Sequence, residues 1–339
     1  MKTRTTRFVG PGRLEIWERD LPPLAPRQVL IRVRACGLCT WEQRFYQGVA
    51  PESYPFLGGH EVAGEVIALG SEAAVRAAPG DPVCLALKTR CGACFYCRRG
   101  MDNLCENEDR DRRPGRPWGP AGLSDYVIAE DYQVYPVAPG RDFALLTLAE
   151  PLACVLRSVA GPPLETGDAV LVQGAGVMGM LHLLLLRQQG MRVLVAEPRP
   201  DRRRQALAAG AELALDPAEG LEAALDGRHL RAVFFTGGGA AAIRQVLPLL
   251  DKGGWLCLYG SVHPSAPVAV DPNLVHYREL VVTGTYSHTR ASFRRAAALL
   301  SLGQMEIAPL ISERVPFPDL ERGFARATAG DAYRVVMTF

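Results

Sequence analysis

Two hydrophobic patterns share this chain, and they change over near Asp168. From about residue 7 to 90 the apolar positions form short β-branched runs, at 28–35, 61–69 and 81–87, separated by PPLAP, YPFLGGH and AAPGD. Runs of this kind bounded by turn formers predict strands in a compact β-rich domain. Residues 91–120 have no usable period, being rich first in Cys and then in Arg, Asp, Pro and Gly, and a further strand is predicted at 126–129. An unpatterned stretch this long predicts a functional loop or a lobe held by metal.

Beyond Asp168 the pattern alternates: AVLVQ, a helix over 178–189, VLVAE, a helix over 201–209, AVFFTG, a helix over 240–250, then WLCLYGS. Nearly continuous apolar strands separated by helices predict parallel βαβ units, with a sheet covered on both faces. After Leu280 come VVTGTYS, a helix over 290–302 and a short strand at 334–339, leading back to the first domain. The fold class is therefore α/β. A β-rich domain is expected at 1–149 and 285–339, with a doubly wound parallel sheet at 150–284 inserted into it.

With 339 residues and 48% hydrophobic side chains the chain can bury two cores, which excludes disorder and collagen. Its 38 basic and 36 acidic residues are mixed along the sequence, so nucleic acid is not an expected partner. The most apolar segment, 178–186, contains His182 and stops at Arg187, short of the ~18 residues a membrane span needs. MKTRTTRFVGPGR lacks the apolar core of a secretion signal. A cytoplasmic, reducing setting is expected for the nine cysteines, where clustering means metal or catalysis.

Two motifs then carry chemistry. The strand AVLVQ runs into Gly174-Ala-Gly176-Val177-Met178-Gly179 and a helix, and Glu197 ends the next strand. In this setting the first glycine makes the tight turn, the second admits a pyrophosphate at the helix N-terminus, and the third lets helix pack on strand. Glu197 would accept from ribose hydroxyls and favours NAD, while Arg199 and Arg202 leave NADP open. The second motif is Cys91-x2-Cys94-x2-Cys97-x7-Cys105. Four thiolates with no open position suit a closed structural zinc, although spacing alone also admits an iron–sulfur cluster. The rest of the chain argues against the cluster.

Taken with ACGLC, GGHEVAGEV, PGDPV, EPLACV and the closing RVVMTF, these motifs make the whole length resemble the zinc-containing medium-chain dehydrogenase/reductase family, and within it the polyol and threonine dehydrogenase-like branch. The resemblance implies a GroES-like catalytic domain around a Rossmann domain, two zincs per chain, and a homodimer or homotetramer joined through the edge of the nucleotide sheet near residues 256–262. It implies catalytic zinc ligands at Cys39, His60 and Glu150, with Glu61 as an acid able to approach the metal, and structural zinc at Cys91, Cys94, Cys97 and Cys105. Met178 would back the nicotinamide ring and Cys154 would lie near it. The implied reaction is hydride transfer between a small-molecule secondary alcohol or polyol, or its ketone or aldehyde, and NAD(H). Two alternatives are a same-fold reductase of a conjugated double bond, against which the intact Cys39, His60 and Glu150 set counts, and a non-catalytic NAD(P)-binding sensor or scaffold.

One departure stands out. Where the family carries a relay hydroxyl this chain has Trp41, whose indole donates a proton but cannot accept one. Three readings follow: Thr40, beside Cys39, or a water held by Glu61 is the proton route; Trp41 forms an aromatic wall for a bulky or ring-shaped substrate; or the site no longer oxidises simple alcohols. Glu42 replaces the Asp that orients the zinc-bound His, and is expected to serve His60 in the same way. Trp41, Tyr46 and Trp118 are expected to shape the substrate pocket, with Arg44 and Tyr54 as further candidates. His182 reads as a core histidine and Cys36, Cys84 and Cys257 as small buried hydrophobes. His288 is a candidate cleft residue, and Arg112 or Arg113 would bind an acidic substrate if their loop reached the cleft.

Overall fold

The computed structural model describes residues 1–49, 53–108, 116–225 and 227–339. Its strands in chain order are β1 (Lys2–Gly10), β2 (Arg13–Asp20), β3 (Gln28–Gly37), β4 (Glu61–Leu69), β5 (Pro82–Ala86), β6 (Tyr126–Glu130), β7 (Val134–Pro136), β8 (Ala169–Gln173), β9 (Arg192–Ala196), β10 (Leu213–Leu215), β11 (Leu230–Phe235), β12 (Trp255–Leu258), β13 (Val281–Gly284), β14 (Ile311–Pro316) and β15 (Arg334–Thr338). The chain divides into two compact units, one of residues 1–153 with 288–339 and one of residues 154–287.

In the first unit β3 is the organising strand. It pairs antiparallel with β4, β6 and β15 in a seven-stranded sheet. The core against it includes Phe8, Ile31, Phe45, Phe56, Leu85 and Phe324. The pairing register sets Gly37 opposite Glu61, so the residues after β3 and those before β4 lie side by side. A Cβ at Gly37 would sit 2.2 Å from Oε2 of Glu61, which leaves glycine as the residue that fits. The pattern of this region predicts only strands, yet TWEQRFYQ forms the helix Thr40–Gln47. Glu42 and Phe45 both turn inward on it, and Gly48 closes it in the left-handed region at φ +72°.

In the second unit all six strands run parallel, in the order β10-β9-β8-β11-β12-β13. This is the doubly wound order, reversing between β8 and β11, where such sheets open a ligand crevice. β8 is buried along its whole length and β9 and β11 nearly so. The helix expected over 240–250 is a helix at Gly239–Val246 followed by a 3-10 turn at Leu247–Leu249, because Pro248 has no N–H to continue the ladder. The stretch 256–262 is not a sheet edge, since β12 is bonded on both sides and β13 ends the sheet. Among the described residues no helix is long and apolar enough to cross a membrane.

Candidate active site and metal centres

The first cluster follows from the β3–β4 register. Cys39 is the N-cap of Thr40–Gln47, His60 immediately precedes β4, and Glu150 lies in the first turn of the helix Ala149–Val159. Donor atoms of Cys39, Glu42 and His60 lie within 4.8 Å of one another, and so do those of His60, Glu61 and Glu150. His60 is thus shared by two overlapping groups. Glu42, fully buried, accepts from Nδ1 of His60 at 2.7 Å and from the Gly59 N–H at 2.9 Å through the same oxygen. Nε2 of His60 lies 4.0 Å from Glu150. Arg334, buried in β15, reaches Glu61 at 2.8 Å and donates to the Leu38 carbonyl at 2.9 Å.

Around this cluster Trp41 meets His60, Phe45 and Phe56 edge-on at ring separations of 5.5, 5.4 and 4.9 Å. Trp118 lies 6.4 Å from Trp41 and donates to the Ser53 carbonyl. Tyr46 packs on Phe324, at 5.1 Å. Tyr54 donates to the Phe45 carbonyl. Thr40 is exposed at the first turn of its helix. Arg112 and Arg113 lie outside the described residues.

The second cluster gathers the sulfurs of Cys91, Cys94, Cys97 and Cys105 within 4.8 Å of one another. Sγ of Cys91 accepts from the N–H groups of Ala93 and Cys94 and from Asn107 Nδ2, at 3.5, 3.3 and 3.4 Å. The Asn107 amide, followed by these N–H groups, pulls the Cys91 thiol down to about 6. A tight thiol set wrapped by donors to sulfur is the chemistry a tetrahedral zinc requires.

In the second unit Gly174 follows β8 in the left-handed region at φ +98°, and a Cβ there would meet Thr236 Oγ1 at 2.8 Å. Gly176 is the N-cap of Val177–Gln188, with no side chain capping its N–H groups, and a Cβ on Gly179 would lie 1.9 Å from the Gly174 carbonyl. Glu197, buried past the end of β9, accepts from Ala175 N at 2.8 Å and Arg199 N at 3.0 Å. The Arg199 guanidinium is paired with Asp201, whereas that of Arg202 lies 3.9 Å from where a Gly176 Cβ would stand. Met178 is half-buried in the first turn and Cys154 is buried in Ala149–Val159. His182 is a satisfied core residue, its ring nitrogens bonded to Met178 O and Ser158 Oγ at 2.8 and 3.1 Å.

Comparison with known proteins places these features. The family models Alcohol dehydrogenase GroES-like domain and Zinc-binding dehydrogenase match residues 25–139 and 177–301. The chain is 31% identical to a probable alcohol dehydrogenase of Mycobacterium tuberculosis, over 94% of this chain and 89% of the relative. The chain belongs to the zinc-binding alcohol dehydrogenase family. D-altritol 5-dehydrogenase of Agrobacterium fabrum is 28% identical over 96% of both chains. A crystal structure from Sinorhizobium meliloti, of a protein described as a zinc-binding dehydrogenase and bound to NADP, superposes with a TM-score of 0.90 at 27% identity, covering 100% of both chains. The protein is accordingly an NAD(P)-linked dehydrogenase whose cofactors are zinc and a nicotinamide dinucleotide.

The charge balance of the dehydrogenase's first cluster fits a divalent cation. Glu42, Glu61 and Glu150 bring three carboxyls to a thiol and an imidazole, faced by the guanidinium of Arg334. Oε2 of Glu42 and Oε2 of Glu61 are buried without a hydrogen-bond partner, while Oε1 of Glu61 faces Arg334. Burial pushes the Glu61 carboxyl up to about 7 although Arg334 pulls it down. Burial, with Glu61, likewise raises the Cys39 thiol; it opposes protonation of His60, but Glu42 and Cys39 outweigh it and hold the ring well above its ordinary value. A cluster that retains protons where it lacks cations binds metal by releasing them. The sequence reading missed Arg334, whose one signal is a charged residue opening the mostly apolar RVVMTF.

Proposed function

We propose that Cys39, His60 and Glu150 hold the catalytic zinc of this dehydrogenase, and that it interconverts a secondary alcohol or polyol with its ketone or aldehyde, using NAD(H) on the glycine turn at 174–179, with NADP also open. The observation that carries the reading is the convergence of thiol, imidazole and carboxyl donors around His60. The altritol-oxidising relative supports a polyol. Held there, zinc would supply a Lewis acid that lowers the pKa of a substrate hydroxyl, and the dinucleotide would supply the hydride acceptor.

Each neighbouring residue then has a part. Glu42 takes the Nδ1 proton of His60 in a hydrogen bond, which leaves the Nε2 lone pair for the metal. Glu61 is held by Arg334 at 2.8 Å, and beside His60 it would be a further carboxylate within reach of the metal. Trp41 has no lone pair for a substrate proton, so Thr40 is the hydroxyl beside Cys39 that takes it outward. Trp41, part-exposed, stands edge-on to His60 and is backed by the buried ring of Phe56, an aromatic surface beside the imidazole that favours a substrate with an apolar or ring face.

The four-cysteine lobe holds the second, structural zinc. Nine cysteines outside any disulfide support a cytoplasmic setting, and β13, bonded only to β12 among the described residues, supports a homodimer or homotetramer. Zinc content per chain tests the central step. Two zincs in wild type falling to one in Cys39→Ser is the expected result. One zinc, unchanged in a folded Cys39→Ser protein, would refute the catalytic site and favour the double-bond reductase or the sensor.

A further inference from the structure

A buried polar path leads from the four-cysteine lobe to the carboxylate of Glu150. It starts with Arg90, immediately before Cys91, and Asp102, between Cys97 and Cys105. Their side chains are 2% and 5% exposed and lie 3.8 Å apart. Asp102 accepts from the Nε of Arg290 at 2.9 Å and from its main-chain N–H at 3.2 Å, the first residue of the helix Arg290–Leu302. A carboxylate there is favoured by the positive end of the helix. Nη2 of Arg90 donates to the main-chain carbonyl of His288 at 2.8 Å. The His288 ring, buried against Phe293, places its Nε2 3.7 Å from Oε1 of Glu150, whose other oxygen faces His60.

We infer that Arg90 and Asp102, anchored in the lobe, are positioning residues that hold His288 against Glu150, so that metal in the lobe sets how firmly the Cys39, His60 and Glu150 cluster keeps its own zinc. The inference rests on the proposed ligand set. The physical link is that both anchors belong to a segment folded around its own sulfurs. Arg90 is the residue next to Cys91, whose N–H donates to Cys105 Sγ at 3.3 Å, and Asp102 sits on a single 3-10 turn, Asp102–Leu104. Without metal the thiols have no common partner, and the segment's regular structure is one helical turn at Phe95–Arg98 and the 3-10 turn Asp102–Leu104, so Arg90, whose N–H is also held by Tyr132 Oη at 2.9 Å, and Asp102 lose the hold on their lobe side. His288 is sensitive to that hold, because Ser287 before it takes φ +60°, a sparsely populated conformation that persists only where its surroundings over-determine it.

The test follows zinc release from the fully loaded chain into excess chromogenic chelator. Wild type is expected to lose zinc in two phases, of which the one missing from Cys39→Ser belongs to the His60 cluster. Asp102→Asn and Arg90→Gln should speed that phase about tenfold, the scale seen when outer partners of metal ligands are removed. His288→Ala should speed it equally and leave the lobe phase unchanged, which a general loss of stability would not do. If His288→Ala and Asp102→Asn both stay within about twofold of wild type in the Cys39-dependent phase, the inference is overturned while the zinc assignment stands. A wild type with no Cys39-dependent phase would overturn both.

Discussion

Replacing Glu42 by alanine should weaken zinc at the His60 cluster without touching a proposed ligand. Glu42 is fully buried, and one of its oxygens accepts both from His60 Nδ1 at 2.7 Å and from Gly59 N at 2.9 Å. A hydrogen bond to a charged group contributes roughly 1.5–3 kcal/mol, which at about 1.4 kcal/mol per decade is about ten- to hundredfold in affinity. Removing it frees the imidazole to rotate and to place the Nδ1 proton on either nitrogen. Asp should not substitute well although it is the family's usual residue, because shortening the chain by one C–C bond, ~1.5 Å, opens a 2.7 Å contact. Glu42→Gln should fall between, since its amide oxygen still accepts but carries no charge. Equilibrium competition of the second zinc against a chelator measures all three variants. An affinity for Glu42→Ala within about twofold of wild type, with Cys39→Ser still losing that zinc, would refute the orienting role.

Three further outcomes are expected. Arg334→Met strands the Glu61 carboxylate in the core and should cost about 3–5 kcal/mol in denaturant unfolding, with Glu61→Gln in the same chain recovering most of it; no recovery would mean that Arg334 acts through the Leu38 carbonyl instead. Burial holds His182 neutral, its pKa down at about 4. Below about pH 6.5 the unfolded chain therefore binds a proton that the folded one refuses, so folded-state stability falls by up to about 3 kcal/mol between pH 6.5 and 4. His182→Phe should flatten that part of the stability-against-pH curve, and an unchanged slope would sink the assignment. Thr40→Ala should lower kcat and alter the pH–rate profile if Thr40 carries the substrate proton, whereas a wild-type profile would leave that step to water.

The parts legible in the sequence are those whose geometry is local. A GxGxxG turn between a strand and a helix needs only neighbouring backbone, and the Gly179 Cβ clash of 1.9 Å with Gly174 shows why the third glycine tolerates no side chain. Four cysteines within fifteen residues close on one another because the loop between them is short. Parallel strands declare themselves by unbroken apolar text, since both of their faces are covered. The helix Thr40–Gln47 was not legible, as its inward Glu42 breaks any apolar period and its place is set by the bond to His60. The sheet edge was also misplaced, because which strand ends a parallel sheet depends on the order of pairing and not on composition.

By itself, then, the sequence determined the fold class, the family, and the motifs whose ligands lie close along the chain. Only tertiary structure decided what surrounds His60. Glu61 meets Arg334 because β15 pairs with β3 at the strand end where β4 begins, and His288 meets Glu150 because Arg90 and Asp102 grip the chain around it. Such contacts have no local signature. Buried charges are tolerated where they are matched, and the match is supplied by residues that the sheet, not the chain, makes neighbours.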